Sequence, residues 1–198
     1  MKKLIGFSFI LIALVAFSFK KGGYEVGDKA MDFSLKNVNG EMVSMDDYDE
    51  AKGFMIIFTC NSCPYSVAYE DRIIALHKKY AEKGVPVIAI NPNDDEKSPK
   101  DSFDKMIVRA KEKEFPFPYV YDETQEITKA YGATNTPHVY VLDANRTVKY
   151  IGAIDNNTKS AKDADKKYVE QAVDAVLNGT EIPEKKTKAI GCTIKWAS

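Results

Sequence analysis

The stretch from Gly53 to Tyr80, GFMIIFTCNSCPYSVAYEDRIIALHKKY, decides the architecture. Phe54-Met55-Ile56-Ile57-Phe58 is apolar without alternation, the pattern of a central strand covered on both faces. It ends at Cys60. From Pro64 the period changes: Tyr69, Ile73, Leu76 and Tyr80 are spaced 4, 3 and 4 apart, with Val67 and Ile74 beside them, which predicts a helix from Pro64 to about Glu82. Pro64 suits a first helical turn, and Gly84 closes the helix. Val85-Pro86-Val87-Ile88-Ala89-Ile90 then supplies a second buried strand, completing a βαβ unit.

Upstream, Phe33-Ser34-Leu35 and Met42-Val43-Ser44 flank the turn dipeptide Asn39-Gly40 and read as a β-hairpin. Downstream, Asn91 to Lys100 is a polar loop, after which Phe103, Met106, Ile107 and Ala110 repeat at helical spacing, predicting an inserted helix near residues 100–113. A short strand Tyr119-Val120-Tyr121 follows, then a short helix from Thr124 to Tyr131 stopped by Gly132. Thr136-Pro137 precedes the apolar strand His138-Val139-Tyr140-Val141-Leu142, which turns through Asp143-Ala144-Asn145-Arg146 into Val148–Ile151. A last helix carries Val169, Ala172, Val173 and Val176 on one face. From Glu181 no periodicity is clear, and Lys185-Lys186-Thr187-Lys188 reads as a solvated tail.

The chain has 198 residues, 44% hydrophobic and 29% charged, which suits one globular domain. Lys+Arg 28 against Asp+Glu 29 gives no basic surplus for a nucleic-acid partner. Residues 1–20 differ from the rest. Lys2 and Lys3 precede an apolar run from Leu4 to Phe19 that is shorter than the roughly 20 residues of a comfortable membrane span, and Ala16-Phe17-Ser18 offers small residues at a cleavable spacing. This predicts an exported, periplasmic or otherwise extracytoplasmic protein, with the segment either cleaved or kept as an N-terminal anchor. The domain is expected at 24–180, with 181–198 a tail containing Cys192.

Cys60-Asn61-Ser62-Cys63 falls where the buried strand gives way to the helix, which sets the first sulfur near the unpaired N–H groups and positive end of the helix. A thiol titrating near 8.5 is only about 3% thiolate at neutral pH, whereas a helix N-terminus in a CxxC motif can lower it to roughly 7 or below. The two-residue spacer lets Cys63 resolve a mixed disulfide formed at Cys60. Two cysteines at this spacing are also half of a zinc site, but zinc needs four ligands and only Cys192, His77 and His138 remain, so no metal and no cofactor is expected.

Strand-CxxC-helix followed by a strand begun at Thr136-Pro137 resembles the thioredoxin superfamily over nearly the whole mature chain. Asn61-Ser62-Cys63-Pro64-Tyr65, Ala89-Ile90-Asn91-Pro92-Asn93, Thr136-Pro137-His138 and Gly191-Cys192-Thr193-Ile194-Lys195-Trp196 resemble a bacterial redoxin branch grouped with alkyl hydroperoxide reductase and thiol-specific antioxidant proteins. The resemblance implies an α/β thioredoxin-like fold, a mixed sheet flanked by helices, and thiol–disulfide exchange. It also implies that Pro137 is a cis proline beside the CxxC, with the backbone of Thr136 open to an extended substrate. Members of the branch often carry His at the position of Ser62, and the uncharged Asn61-Ser62 pair favours a more reducing couple.

The expected activity is reduction of disulfides in protein substrates, with a membrane or soluble thiol donor returning electrons. Two alternatives stay open, a peroxidase using the same thiols and a binding module with a locked CxxC. Neither cysteine has the Pro-x-x-x-Thr-x-x-Cys loop of thiol peroxidases: counting back from Cys60 gives Ile57 and Gly53, and from Cys63 gives Cys60 and Ile56. His138 is expected near the active face as a modulating residue, His77 as a residue flanking the helix core, and Glu70 and Asp71 as a solvated face. Cys192 is either an inert thiol or a third redox cysteine on a returning tail.

Overall fold

The computed structural model describes residues 22–198, so the expected export segment at residues 1–20 lies outside the described residues. The N-terminal hairpin pairs β1 (Leu35–Asn37) with β2 (Met42–Val43). The βαβ unit comprises β3 (Gly53–Phe58), α1 (Pro64–Tyr80) and β4 (Val87–Asn91). The inserted helix α2 (Phe103–Lys113), β5 (Tyr119–Tyr121) and α3 (Glu126–Tyr131) come next. Then follow β6 (Asn135–Thr136), β7 (His138–Asp143), β8 (Val148–Gly152), α4 (Tyr168–Asn178) and β9 (Cys192–Thr193).

Seven strands form one mixed sheet in the order β2-β1-β5-β4-β3-β7-β8, with β3–β4 and β4–β5 parallel and the other pairs antiparallel. β3 lies between β4 and β7, which explains its unbroken apolar run. Met55 and Ile57 enter a cluster with Tyr69, Ile73, Leu76 and Tyr80 of α1 and Val169 and Val173 of α4. Phe54, Ile56 and Phe58 alternate to the other face, against Phe33, Met45, Ile127 and Tyr131. Each such side chain contributes about 1.5–3 kcal/mol when fully buried. Four on one stripe outweigh the ordinary helix propensity of the α1 sequence and seat its first turn at the C-terminal end of β3.

The α-helical part of α1 ends at Tyr80 and continues as a 3-10 turn over Ala81–Lys83, closed by Gly84 at φ 88. The lysine run is not a free tail. Its backbone pairs along the outer edge of β8, Ile151 N–H donating to Lys185 O and Thr187 N–H to Ile151 O, while the lysine side chains stay exposed. Thr187 Oγ1 also accepts the Ala153 N–H. No helix among the described residues is long and apolar enough to cross a membrane.

Candidate active site

β3 keeps its pairing one residue past its end, with Thr59 N–H donating to Ile90 O at 2.9 Å, and Cys60 follows. Cys63 is the N-cap of α1 in extended conformation (φ −70, ψ 123), and Pro64 takes the first turn, where a missing N–H costs no helical bond. Thr136, 76 residues after Cys60, meets both sulfurs. Its Oγ1 lies 3.2 Å from Cys60 Sγ, and its carbonyl oxygen accepts from Cys63 Sγ at 3.2 Å. The Thr136–Pro137 peptide is cis. Both CxxC cysteines are 3% exposed, and all three cysteines are thiols.

The two CxxC sulfurs share a proton, and their pKa values move apart. Cys63 is pulled down to about 4, first by the hydrogen bond from Cys60 and further by the Cys192 side chain and by the Ser66 and Cys192 backbone groups, with burial opposing. Cys60 is pushed far up by the same contact with Cys63, by burial and by the nearby Asp101 carboxylate. Backbone groups at the start of α1 reach both sulfurs, that of Ser66 lowering Cys63 and that of the N-cap residue Cys63 lowering Cys60. Thr136 favours the reverse placement of the proton: its hydroxyl can donate to a charge on Cys60, and its carbonyl can only accept, so it receives a Cys63 S–H. Each placement has its own partners.

Asn61 and Ser62 are gripped by the insertion. Asp101 Oδ1 accepts the N–H of Asn61 and of Ser62, both at 2.9 Å, and Oδ2 accepts Ser62 Oγ, Asn93 Nδ2 and Ser98 Oγ at 2.7–2.8 Å. Asn61 Nδ2 donates to Lys100 O, and Tyr119 Oη donates to Asn61 Oδ1. Asp101 is fully buried, and five donors offset the cost of desolvating it. Sequence reasoning missed this residue, which is one Asp at the end of a polar loop; the nearest signal was Asn93, the residue that tethers it. Glu70, expected on a solvated face, is instead 4% exposed, because Arg109 and Lys113 of α2 fold over it. Arg109 binds it through two contacts of 2.7 Å. Asp71 remains exposed.

The tail returns to this site. β9 pairs antiparallel with β6, placing Cys192 opposite Thr136 and Thr193 opposite Asn135. The Thr136 backbone, expected to stand open to a substrate, is paired here with the chain's own Cys192–Thr193. Gly191 permits the approach: a Cβ there would meet Thr136 O at 2.1 Å. Beyond it, Ile194 is buried in the second core cluster, and its N–H donates to Thr134 O. Lys195 N–H donates to Asn93 Oδ1, and Lys195 O accepts from Asp94 N–H and Gln125 Nε2. Asn93 therefore links the tail to Asp101 and, through it, to the CxxC loop.

His138 begins β7 opposite Phe58, its ring against Tyr140 and its Nδ1 accepting the Thr134 N–H. Burial holds its pKa down at about 4, so it is neutral at physiological pH, and these contacts are structural. His77 Nδ1 accepts the Val87 N–H, which pins α1 to β4. Among the described residues no group of three or more His, Cys, Asp or Glu is arranged to hold a metal ion.

A mixed sheet with a thiol pair at a strand–helix junction, facing a cis proline, defines a thioredoxin-like thiol–disulfide oxidoreductase, and comparison with known proteins agrees. Residues 26–151 match the AhpC/TSA family, and the chain belongs to it. The thiol-disulfide oxidoreductase ResA of Bacillus thuringiensis subsp. konkukian is 26% identical over 148 residues, covering 70% of this chain and 79% of that one. A crystal structure of an uncharacterized conserved protein from Geobacillus kaustophilus superposes with TM-score 0.82 at 38% identity, covering 87% of this chain and 93% of the other. A hypothetical protein from Sinorhizobium meliloti 1021 gives TM-score 0.83 at 30% identity, with 89% and 97% covered.

Proposed function

We propose that the chain works outside the cytoplasm, reducing disulfides in protein substrates through Cys60 and Cys63. The observation that carries this reading is the pair of 3.2 Å contacts that join both sulfurs to Thr136, so that moving the shared proton from Cys60 to Cys63 leaves a partner for each resulting species. The charge then resides on Cys60, which attacks one sulfur of the substrate disulfide and expels the other as thiolate. Cys63, losing its proton, attacks Cys60 Sγ, releases the second substrate thiol and closes the Cys60–Cys63 disulfide. A thiol donor, membrane-bound or soluble, restores the pair. Exposed Tyr65 and Val67 on the first turn of α1, and Ile190 two residues before Cys192, give apolar surface next in the chain to the site cysteines, suited to unfolded or extended substrates. Export rests on the composition of residues 1–20.

The test is reduction of insulin disulfides by the full chain with dithiothreitol as donor, beside Cys60→Ser and Cys63→Ser. Disulfide reduction lost in both variants supports the reading. Activity retained without Cys60, or Cys60-dependent consumption of peroxide with no disulfide reduction, overturns it.

A further inference from the structure

Three nucleophilic sulfurs meet at one place, and the exchange reaction just described uses two of them. Cys192 is set opposite Thr136, the residue that touches both CxxC sulfurs, and its side chain and N–H both reach Cys63. Cys63 thus receives hydrogen bonds from Cys60 and from Cys192. The seating is specific, because Gly191 must lack a Cβ to pass Thr136 O, and Ile194 and Lys195 fix the chain immediately beyond. Access also separates the three: Cys60 and Cys63 are buried, whereas Cys192 is partly exposed.

We propose that Cys192 is a third redox-active cysteine, which draws the disulfide from the buried CxxC pair onto Cys63–Cys192, where a thiol donor can reach it. This rests on the exchange reading of Cys60 and Cys63. In the step, the Cys192 thiolate attacks Cys63 Sγ in the Cys60–Cys63 disulfide. The Cys63–Cys192 bond forms, the Cys60–Cys63 bond breaks, and Cys60 leaves as a thiolate that takes up the proton Cys192 gave off. One disulfide is consumed and one is made, so the step needs no oxidant or reductant. A dithiol donor then attacks Cys192 Sγ, expelling Cys63 thiolate. The donor's second thiol releases Cys192, leaving the donor oxidised and all three cysteines reduced.

In the reduced protein, Cys192 is held up at about 11 by burial and then by its hydrogen bond to, and the charge on, Cys63. The two effects of Cys63 vanish once Cys63 is bonded to Cys60. Cys192 is thus a weak nucleophile while the pair is reduced and a stronger one once the pair is oxidised, which is when the transfer is needed.

The test uses the full chain, Cys60→Ser and Cys192→Ser, poised in glutathione redox buffers, quenched in acid and blocked with N-ethylmaleimide. Tryptic fragments are then weighed without reduction. Residues 53–72 carry both CxxC cysteines and residues 189–195 carry Cys192, so a Cys63–Cys192 disulfide joins two peptides whereas Cys60–Cys63 only loops one. Expected are a joined species in the wild type at no less than about a tenth of the looped one, and near-complete joining in Cys60→Ser. Mixing isotope-labelled with unlabelled chains should give like-with-like pairs only. A looped peptide without the joined one, two free thiols in Cys60→Ser at a poise that fully oxidises the wild type, or scrambled labels would overturn the proposal and leave the CxxC reading standing. No looped peptide in either the wild type or Cys192→Ser would overturn the exchange reading, and this proposal with it.

Discussion

Truncating Ile194 should undock the tail without unfolding the domain. The Ile194→Ala change removes three carbons from a side chain that is 5% exposed in the second core cluster. At about 0.8 kcal/mol per buried carbon the loss is about 2.4 kcal/mol, before any cavity contribution. The segment from Gly191 to Ala197 is held to the domain by the β6–β9 pairing, by hydrogen bonds with Asn93, Asp94, Gln125, Thr134 and Asn135, by Lys129 over the Trp196 ring and by the buried Ile194 side chain. The energy therefore falls on local opening rather than on the global transition. At 1.4 kcal/mol per factor of ten, the undocked population rises roughly 50-fold. Hydrogen exchange at the Ile194 and Lys195 amides, which donate to Thr134 O and Asn93 Oδ1, reads that population directly. The expected result is acceleration of about that factor at these amides, with exchange in β3 and β4 unchanged and Tm little altered. Unchanged exchange at both amides, or a Tm drop of several degrees with uniform acceleration, would refute the account of the tail as a separately opening element.

Asp101→Asn should cost about 2–3 kcal/mol in denaturant unfolding, because an amide nitrogen in place of Oδ2 turns a donor toward Asn93 Nδ2 in a fully buried site. It should also let Cys60 ionise at lower pH, since a nearby negative charge is removed; the pH dependence of thiolate absorbance checks the shift, and an unmoved or raised midpoint contradicts it. His138 gives a pH dependence of defined sign. Its folded pKa of about 4 lies below the ordinary 6.5, so the unfolded chain takes up the proton first as pH falls, and stability is full above 6.5 and drains away toward 4. Between pH 7 and 5 this removes roughly 2 kcal/mol, so the pH slope in urea unfolding should flatten by that amount in His138→Phe; an equal slope in both proteins would rule the histidine out as its source.

Long elements were legible in the sequence because their burial is carried by their own composition. β3 and β7 lie inside the sheet and are apolar throughout, and α1 shows its stripe at helical spacing. The two-residue strands β6 and β9 carry no period of their own; each is defined by the other, across more than fifty residues. The CxxC pair could be read from its position at a strand–helix junction. Its surroundings could not, since the burial of Asp101 and Glu70 depends on where the insertion lands, and a carboxylate with five donors or two cationic partners looks in sequence like any surface acid. Cys192 was visible in the Gly191–Trp196 motif and as an odd cysteine, inert or redox-active, but where it lies comes from the backbone path that Gly191 allows.

The lysines of the 185–188 segment bear on how copies of the protein behave toward one another. β8 is the last strand of the sheet on its side, and an edge left bare presents backbone groups to which another chain can add. Here those groups on Ile151 are taken by Lys185 and Thr187, and the covering segment carries three exposed lysines, of which Lys185 pairs with Glu181 and Lys186 with Glu25. A molecule approaching through this edge meets a backbone already paired at Ile151. For a protein whose chemistry is the making and breaking of cross-links, a covered edge here takes away one backbone template on which two copies could be brought together.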